Sequence, residues 1–277
     1  MNVRIVTDSS CDLPESVVSE LGVRVVPLSI RFGDEEFIDR EQLSTEEFWR
    51  RCAAQDTLPE TAAPAPGQFE TVYRELGDDG ATGIVVISLS GKLSATMQSA
   101  QLAARSVSDV VDVRVVDSRS VTLGVGTMVI AAARSAAEGA TLDEIEQQAT
   151  DRAERTHVFG ALDTLDNLKK GGRIGGAKAL LATALSIKPI VEVVDGEVAQ
   201  AGKQRTRSKA LKFLVDKVAS YGDDVHDLAV LHAACDDVDE FVAMLQPHYA
   251  GEIVIGDIGP VIGTHAGQGT IGVAFSS

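Results

Sequence analysis

Short runs of β-branched residues alternate along the first half of the chain with segments whose apolar residues recur every three or four positions. The first pattern predicts strands and the second predicts helices. The predicted strands are Val3–Thr7, Val23–Ile30, Glu36–Asp39, Gly83–Ser88 and Val113–Asp117, and the predicted helices follow Pro14 and cover Ser44–Ala54, Gln68–Leu76, Ser94–Val107 and Leu123–Ala137. Residues 56–67 hold three prolines and are predicted to form a loop. Such alternation favours a parallel sheet with helices on both faces.

The second half of the chain shows a different pattern. The polar segment Thr141–Arg155 is predicted to be a helix that joins the halves, and Asp195-Gly196 predicts a hairpin turn. The predicted strands are His157–Leu162, Pro189–Val194, Glu197–Ala201, Asp227–His232, Glu252–Ile255 and Ile271–Phe275, and the predicted helices are Gly176–Ser186, Ser208–Ser220 and Val238–Gln246. We therefore expect an α/β protein of two domains. Residues 1–155 form a parallel-sheet domain, and residues 156–277 form a mixed-sheet domain with helices on one side.

The amino-acid composition and the net charge exclude several classes of protein. Aromatic residues make up 4% of the 277 residues, so the core is expected to be aliphatic. A net charge of −16 argues against general binding of nucleic acid. No apolar run reaches the roughly 18 residues of a membrane-spanning helix, and the first residues lack the pattern of a signal peptide. The three cysteines form no C-x-x-C pair. We expect a reduced, cytoplasmic protein without a metal site.

The charge is unevenly distributed. Between residues 166 and 212, ten lysines and arginines outnumber four aspartates and glutamates, so this segment carries +6 within an acidic chain. It is either a solvated helix face or an anion site or docking surface. Its stretch Lys169–Gly176 places four glycines and three cations before a predicted helix. That stretch is either a phosphate- or carboxylate-binding loop or a flexible connector, and it lacks the Walker A pattern.

Hydroxyl and acidic residues follow three predicted strands of the first half, at Thr7–Ser10, Ser88–Ser90 and Asp117–Ser118. They predict one polar crevice, because ligands bind beyond the carboxyl ends of the strands in an open parallel sheet. Alternatively, they are turn residues whose side chains form hydrogen bonds with the local backbone.

Two single residues are also candidates for ligand binding. Ser94 opens a predicted helix, where it is able both to cap the helix and to bind an anion. His265 lies in a glycine-rich stretch and is either structural or close to a ligand.

Taken in order, a set of motifs resembles the DegV family of bacterial fatty-acid-binding proteins over essentially the whole chain. No single motif is decisive, whereas the set in this order is specific. The motifs are Thr7-Asp8-Ser9-Ser10-Cys11-Asp12-Leu13-Pro14, Thr61-x-x-Pro64, Lys92-Leu93-Ser94-Ala95-Thr96-Met97-Gln98-Ser99-Ala100, Leu168-Lys169-Lys170-Gly171-Gly172-Arg173-Ile174, Ile187-Lys188-Pro189-Ile190, Arg205-Thr206-Arg207 and Gly263-Thr264-His265.

This resemblance implies a non-catalytic carrier. One long-chain fatty acid would lie between the two domains, with its tail in an apolar tunnel and its carboxylate held by Thr61 and Ser94. The carrier would present that carboxylate to a separate ATP-dependent fatty acid kinase, which makes an acyl-phosphate. The resemblance implies no cofactor besides the bound lipid, and it leaves transient membrane contact open. Residues matched to the head-group region or the partner-facing surface are Arg173, Arg205, Arg207 and His265.

The chain departs from the usual family motifs around both carboxylate ligands. Ala62, Ala63 and Ala65 surround Pro64 where serine, glutamine and serine are usual, Ala95 and Met97 replace glycine and tyrosine, and Gln268 replaces proline. These changes bear on the head-group contacts and the preferred acyl chain.

Without the resemblance, the residues alone leave two other functions open. One is an enzyme that acts on a phosphorylated metabolite through a phosphate site at Lys169–Arg173, and the other is a regulatory module that binds lipid as a signal.

Overall fold

The structure of the protein, a computed structural model, describes residues 2–55, 57–182 and 187–277. The strands are β1 (Val3–Asp8), β2 (Arg24–Val26), β3 (Ser29–Phe32), β4 (Glu35–Ile38), β5 (Glu60–Ala62), β6 (Gly83–Ser88), β7 (Val113–Asp117), β8 (Thr156–Ala161), β9 (Lys188–Val194), β10 (Glu197–Gln204), β11 (His226–His232), β12 (Val254–Asp257) and β13 (Ile271–Ser276). The α-helices are α1 (Glu15–Leu21), α2 (Thr45–Ala53), α3 (Pro66–Asp78), α4 (Thr96–Ser106), α5 (Leu123–Ala137), α6 (Leu142–Arg155), α7 (Asp166–Lys170), α8 (Arg207–Ala219), α9 (Val238–Leu245) and α10 (Pro260–Ala266).

The first sheet is parallel, with the strand order β2-β1-β6-β7, as the strand–helix alternation predicts. Successive side chains of a strand point to opposite faces. Ile5 of β1 accordingly packs with α5 and α6 on one face, whereas Val6 packs with Phe69 and Tyr73 of α3 on the other. Helices cover both faces of this sheet, and the expected α/β class is confirmed.

A small antiparallel sheet corrects two predictions. The predicted strand Val23–Ile30 is two strands, β2 in the parallel sheet and β3 in a three-stranded sheet of order β4-β3-β5. Pro27 lies between them, and it has no N–H to continue a ladder. The region predicted as a proline-rich loop also contains β5, in which Thr61 pairs with Ile30.

The third sheet is mixed, as predicted, with the strand order β10-β9-β8-β13-β11-β12 and one parallel pair, β11 with β12. Helices α8 and α9 cover one face through an apolar cluster that includes Phe159 and Phe241. The other face faces the first half of the chain. Val158, Leu231 and Ala274 join the same cluster as Val125 and the other α5 residues, so α5 lies between the two large sheets.

Two glycines explain how α5 fits between these sheets. A side chain at Gly126 would reach 2.8 Å from the carbonyl oxygen of Cys11, and one at Gly124 would overlap Ser120 and meet Val158. Because α5 approaches its neighbours this closely, only hydrogen fits at both positions. Gly124 and Gly126 therefore allow α5 to pack closely against both sheets.

Most remaining boundaries differ from the predictions by a few residues. Helix α7 (Asp166–Lys170) is not among the predicted elements. The glycine-rich stretch near His265 contains the short helix α10. The predicted helix Gly176–Ser186 is a 3₁₀ helix over Gly175–Ala182, and its last part lies outside the described residues. Within the described ranges, no helix has the length and apolarity to cross a membrane, and no group of three metal-ligating side chains comes together.

Candidate functional site

A cavity of about 850 Å³, counted out to its opening, lies between the elements of the two halves. Its walls are mainly aliphatic. Apolar side chains come from both halves of the chain and are Leu28, Leu89, Leu93, Val121, Val158, Leu162, Leu168, Val191, Val193, Val198, Leu231, Ile258, Val261, Ile262 and Ala266. An aromatic-poor sequence thus supplies a mainly aliphatic cavity, and the described wall contains no phenylalanine, tyrosine or tryptophan.

The cavity wall follows from strand periodicity. Val158, Gly160 and Leu162 are alternate residues along β8 and its end, so they share the face that looks toward α5. Val191 and Val193 continue that face on β9. The intervening residue Phe159 belongs to the apolar cluster on the opposite face, under α8.

The wall also contains polar residues, namely Ser94, Thr122, Glu192 and Thr270 and a group of three that adjoins the surface. Thr61, Arg173 and His265 line the cavity, and the same three residues also line a depression on the protein surface. Exposed Lys170 lies at that depression. This polar part of the cavity therefore adjoins the protein surface, and Arg173 and Lys170 give it positive charge.

Thr61 and His265 are hydrogen-bonded to each other, although they are far apart in the sequence. Thr61 Oγ1 lies 3.0 Å from His265 Nε2. Burial, and secondarily the positive charge of Arg173, lowers the pKa of His265 to about 4, so the ring is neutral near pH 7. If Nε2 carries the ring proton and donates to Thr61, the Thr61 hydroxyl is free to donate its own proton to a ligand.

His265 is held in place from several sides. Its Nδ1 is buried and has no hydrogen-bond partner among the described residues. A side chain at Gly171 would overlap that ring nitrogen, so a larger residue there would displace the ring. Asn167 Nδ2 of α7 donates to the carbonyl oxygen of Thr264 at 3.0 Å, which ties α7 to α10. The motif containing Lys169–Arg173 therefore positions His265 by close packing.

Ser94 also lines the cavity, but it does not occupy the predicted capping position. The N-cap of α4 is Ala95, and Ser94 Oγ accepts from the backbone N–H of Thr96 at 3.2 Å. Ser94 Oγ and Thr96 Oγ1 are 2.8 Å apart. When the Thr96 hydroxyl donates across this contact, the Ser94 oxygen accepts twice and its own proton is free for a ligand in the cavity. Thr61 and Ser94 thus line one cavity.

The guanidinium of Arg173 is anchored to the backbone. Its Nη1 donates to the carbonyl oxygen of Gly171 at 2.6 Å, and its Nε donates to that of Leu93 at 3.2 Å. Leu93 precedes Ser94, so Arg173 connects the turn that carries Ser94 with the turn beside His265. This arrangement brings Thr61, Ser94, Arg173 and His265 to one cavity.

Arg205 and Arg207 lie elsewhere. Neither lines the cavity or the adjoining depression, and Arg205 is exposed. Arg207 donates from Nε and Nη2 to both carboxylate oxygens of Asp237, each at 2.8 Å, and from Nη1 to the carbonyl oxygen of Gly269. The structure does not bring this pair to the head-group region, and a place on a partner-facing surface stays a prediction.

The polar strand ends do not form the predicted ligand crevice. The buried Asp8 carboxylate accepts from Ser10, from Ser88 Oγ at 3.0 Å and from Leu89 N at 2.9 Å. Ser90 Oγ donates to the carbonyl oxygen of Gly196 at 2.7 Å. These polar groups bond one another and the backbone, so the interpretation as turn residues is the correct one. The cavity lies beside them, against Leu89.

The contribution of the C-terminal residues to the cavity was not evident from the sequence. Ile258, Val261 and Ile262 line the wall beside Thr61. Val261 precedes His265 and Ile262 precedes Ala266 by four residues, which is about one turn of α10. This helical spacing was the signal available in the sequence. The four glycines of the same stretch, Gly259, Gly263, Gly267 and Gly269, made the helix hard to recognise in the sequence.

The fold and this cavity define a class of protein, a two-part α/β chain built around an apolar cavity with a polar, cationic part near the surface. The family model described as the DegV family matches residues 2–277. A DegV domain-containing protein of Streptomyces coelicolor is 37% identical over 281 residues, which cover 100% of this chain and 99% of the relative. The chain belongs to the DegV family, and the resemblance seen in its motifs is confirmed.

Solved structures of family members have the same fold. A fatty-acid-binding DegV family protein of Thermus thermophilus superposes with a TM-score of 0.91 at 33% identity, and the match covers 100% of both chains. DegV of Bacillus subtilis, described as a fatty-acid-binding protein, superposes with a TM-score of 0.89 at 29% identity, over 100% of this chain and 99% of that one.

Proposed function

We propose that this protein binds one long-chain fatty acid in the cavity and presents the carboxylate to a separate fatty acid kinase. The observation that carries the proposal is the distribution of polarity. Aliphatic side chains surround most of the cavity, and Thr61, Arg173 and His265 lie where it adjoins a surface depression. The fatty-acid binding described for the two structural relatives supports the same ligand.

The carboxylate would lie among the polar groups. The hydroxyls of Thr61 and Ser94 each have a proton to donate, and Arg173 adds a positive charge. A carboxylate removed from water needs such donors, because an unpaired buried charge is strongly unfavourable. His265 is neutral and orients Thr61, so its contribution is positioning.

The acyl chain would supply most of the binding energy. About 14 methylenes, at about 0.8 kcal/mol each, give a gross gain on the order of 11 kcal/mol. Loss of translational and rotational freedom offsets several kcal/mol of that gain. Tight binding therefore follows from the apolar walls, whereas the polar groups fix which end of the ligand faces the depression.

Presentation to a kinase is supported by the position of the polar groups. A carboxylate between Thr61 and Arg173 would be reached through the depression, beside exposed Lys170. Cations at this rim suit an anionic partner surface or a transferred phosphoryl group. In this proposal the protein itself is a carrier without catalytic activity. We also propose that residues 1–155 and 156–277 are its domains, with the lipid cavity between them.

The alternative function, an enzyme with a phosphate site at Lys169–Arg173, has less support. The glycines there follow the C-terminal end of α7, where Gly171 N already donates to the carbonyl oxygen of Asn167 at 2.8 Å. A phosphate site needs free backbone N–H groups, but Gly172 N donates to the carbonyl oxygen of Lys169 at 3.2 Å and Arg173 N to that of Leu168 at 3.0 Å. Two of the Arg173 donors are also engaged by backbone carbonyls.

Native mass spectrometry of the protein purified from cells tests the ligand. A co-purified fatty acid is the expected result, and a phosphorylated metabolite in its place would refute the proposal. Presentation is tested by incubating the loaded protein with a purified fatty acid kinase and ATP and measuring acyl-phosphate. Arg173→Ala is expected to reduce that product, whereas Lys212→Ala is the matched control, because exposed Lys212 pairs with Asp216 and lines neither cavity nor depression.

A further inference from the structure

The mixed sheet is split at one place in the cavity wall. Strands β8 and β9 pair only over Phe159–Ala161 and Ile190–Glu192. The next pair in that antiparallel register would be Val158 with Val193, and the ladder ends before it. Both strands continue to pair with their other neighbours beyond this point, β8 with β13 and β9 with β10. The sheet is therefore open between β8 and β9 at this end.

A second depression of the protein surface lies at this opening. Its lining includes consecutive residues of both strands, Thr156–Phe159 and Glu192–Asp195, with Arg119, Ala153, Glu154 and Tyr221 around them. Three of these residues also line the apolar cavity, namely Val158, Glu192 and Val193. At the split, the same residues thus separate the cavity from the surface.

The split lies away from the polar part of the cavity. Leu162, at the other end of the β8 wall, packs in one apolar cluster with Leu168 and Ile174, next to Arg173. Val158 lies four residues earlier, which corresponds to about 13 Å along an extended strand at about 3.3 Å per residue. The cavity wall along β8 therefore runs from the polar region to the split.

The length of an acyl chain fits this arrangement. A zigzag chain with C–C bonds of about 1.5 Å advances about 1.25 Å per bond, so about 14 methylenes extend about 18 Å. A chain whose carboxylate lies near Thr61 would therefore reach the split. The surface there is partly apolar, since Val194 is 45% exposed and the Tyr221 ring packs against His157 with centroids 4.8 Å apart.

We propose that the gap between β8 and β9 is a second mouth of the cavity, through which the methyl end of a long acyl chain emerges. The inference rests on the proposed function and deepens it by extending the substrate class. Chains longer than the cavity, and chains that carry a bulky group on the terminal carbon, would bind with the carboxylate in its usual place.

The test uses hexadecanoic acid with and without a nitrobenzoxadiazole fluorophore on the terminal carbon. The wild type is expected to bind the labelled acid within about tenfold of the unlabelled acid, a difference of about 1.4 kcal/mol. Acrylamide should quench the bound fluorophore nearly as well as the free one, because the label would lie outside the cavity. Competition by unlabelled acid confirms that both ligands share one site.

A variant locates the mouth. Val193→Trp places a large side chain at the split and is expected to raise the ratio of the two dissociation constants, labelled over unlabelled, by about tenfold or more. Val110→Trp is the matched control, since Val110 is 44% exposed and lines none of the described cavities. An unchanged ratio in Val193→Trp would refute the assignment of the mouth to this gap.

Two outcomes in the wild type overturn the inference while leaving the proposed function intact. In one, the unlabelled acid binds and the labelled acid does not. In the other, the labelled acid binds but acrylamide fails to reach the fluorophore, which places the label inside the cavity. If neither acid binds, the proposed function fails and the inference fails with it. Even if the tryptophan variant does not fold, either of these wild-type outcomes refutes the emergence of the methyl end.

Discussion

The substitution Thr61→Val tests the head-group site most directly. It replaces the hydroxyl with a methyl group of similar size, so the shape of the cavity wall is retained. The bound carboxylate would lose one hydrogen bond to a charged group, which is worth about 1.5–3 kcal/mol. We expect the dissociation constant for hexadecanoic acid to rise about 10- to 100-fold.

The same substitution has a second effect that the structure makes visible. Thr61 Oγ1 is 3.0 Å from His265 Nε2, and valine removes this bond as well. Since Nδ1 of the ring already has no partner among the described residues, both ring nitrogens would then lack one. The lipid-free variant is therefore expected to lose about 0.5–1.5 kcal/mol of unfolding free energy, a loss that the sequence alone does not predict.

Displacement of a fluorescent fatty acid measures the affinities, and denaturant unfolding measures the stability. The control ligand is the fatty alcohol of equal chain length, which has no carboxylate. The alcohol is expected to bind the wild type more weakly than the acid does, and to lose less affinity than the acid on Thr61→Val. Equal binding of acid and alcohol by the wild type would refute a carboxylate site at Thr61 and Ser94.

Three other predictions follow from the site and from a buried carboxyl. Ser94→Ala should weaken acid binding by about 1.5–3 kcal/mol, less than additively with Thr61→Val because both hydroxyls serve one carboxylate, and a double-mutant cycle measures this. Gly171→Ala should weaken acid binding because its methyl group displaces the His265 ring, and titration with hexadecanoic acid checks it. Burial raises the pKa of Asp39 to about 7, so the wild type loses stability as pH rises from about 4 to about 7. Asp39→Asn lacks this loss, and its stability relative to the wild type in denaturant unfolding should be greater at about pH 8 than at about pH 5.

The elements that were predictable from the sequence are those with strong local patterns. The run Gly83–Ser88 is a strand with the predicted bounds, and Leu123–Ala137 is a helix with the predicted bounds. The segment Thr141–Arg155 contains the predicted helix α6, which Thr141 caps by accepting from the backbone N–H of Glu144. In each case the signal lies within a few consecutive residues, so no distant part of the chain has to be known.

The errors arise where distant contacts or very short elements decide the structure. Strand β5 has three residues, too few for a periodic pattern, and it forms because it pairs with β3. Pro27 did carry a local signal, since proline interrupts a ladder, and it marks the place where the predicted strand Val23–Ile30 divides.

The candidate site was only partly predictable, because it depends on which residues meet in space. The bond between Thr61 and His265 joins positions 204 residues apart, and no local pattern reports it. Thr61 and Ser94 came from the family resemblance, and the structure places both at one cavity. The same resemblance matched Arg207 to the head-group region or a partner-facing surface. Its contacts with Asp237 and Gly269 lie away from the cavity, and a place on a partner-facing surface stays a prediction.

The cavity and the packing of the two halves depend on each other. Its walls combine Leu89 and Val121 from the first half with Val158, Val191 and Leu231 from the second. The apolar cluster around α5 likewise includes residues from both large sheets. A ligand that fills this space would therefore contact both halves at once and stabilise the folded state by mass action, in proportion to the logarithm of its free concentration over its dissociation constant. On this argument, the chain binds its ligand with the same aliphatic surface that joins its two sheets.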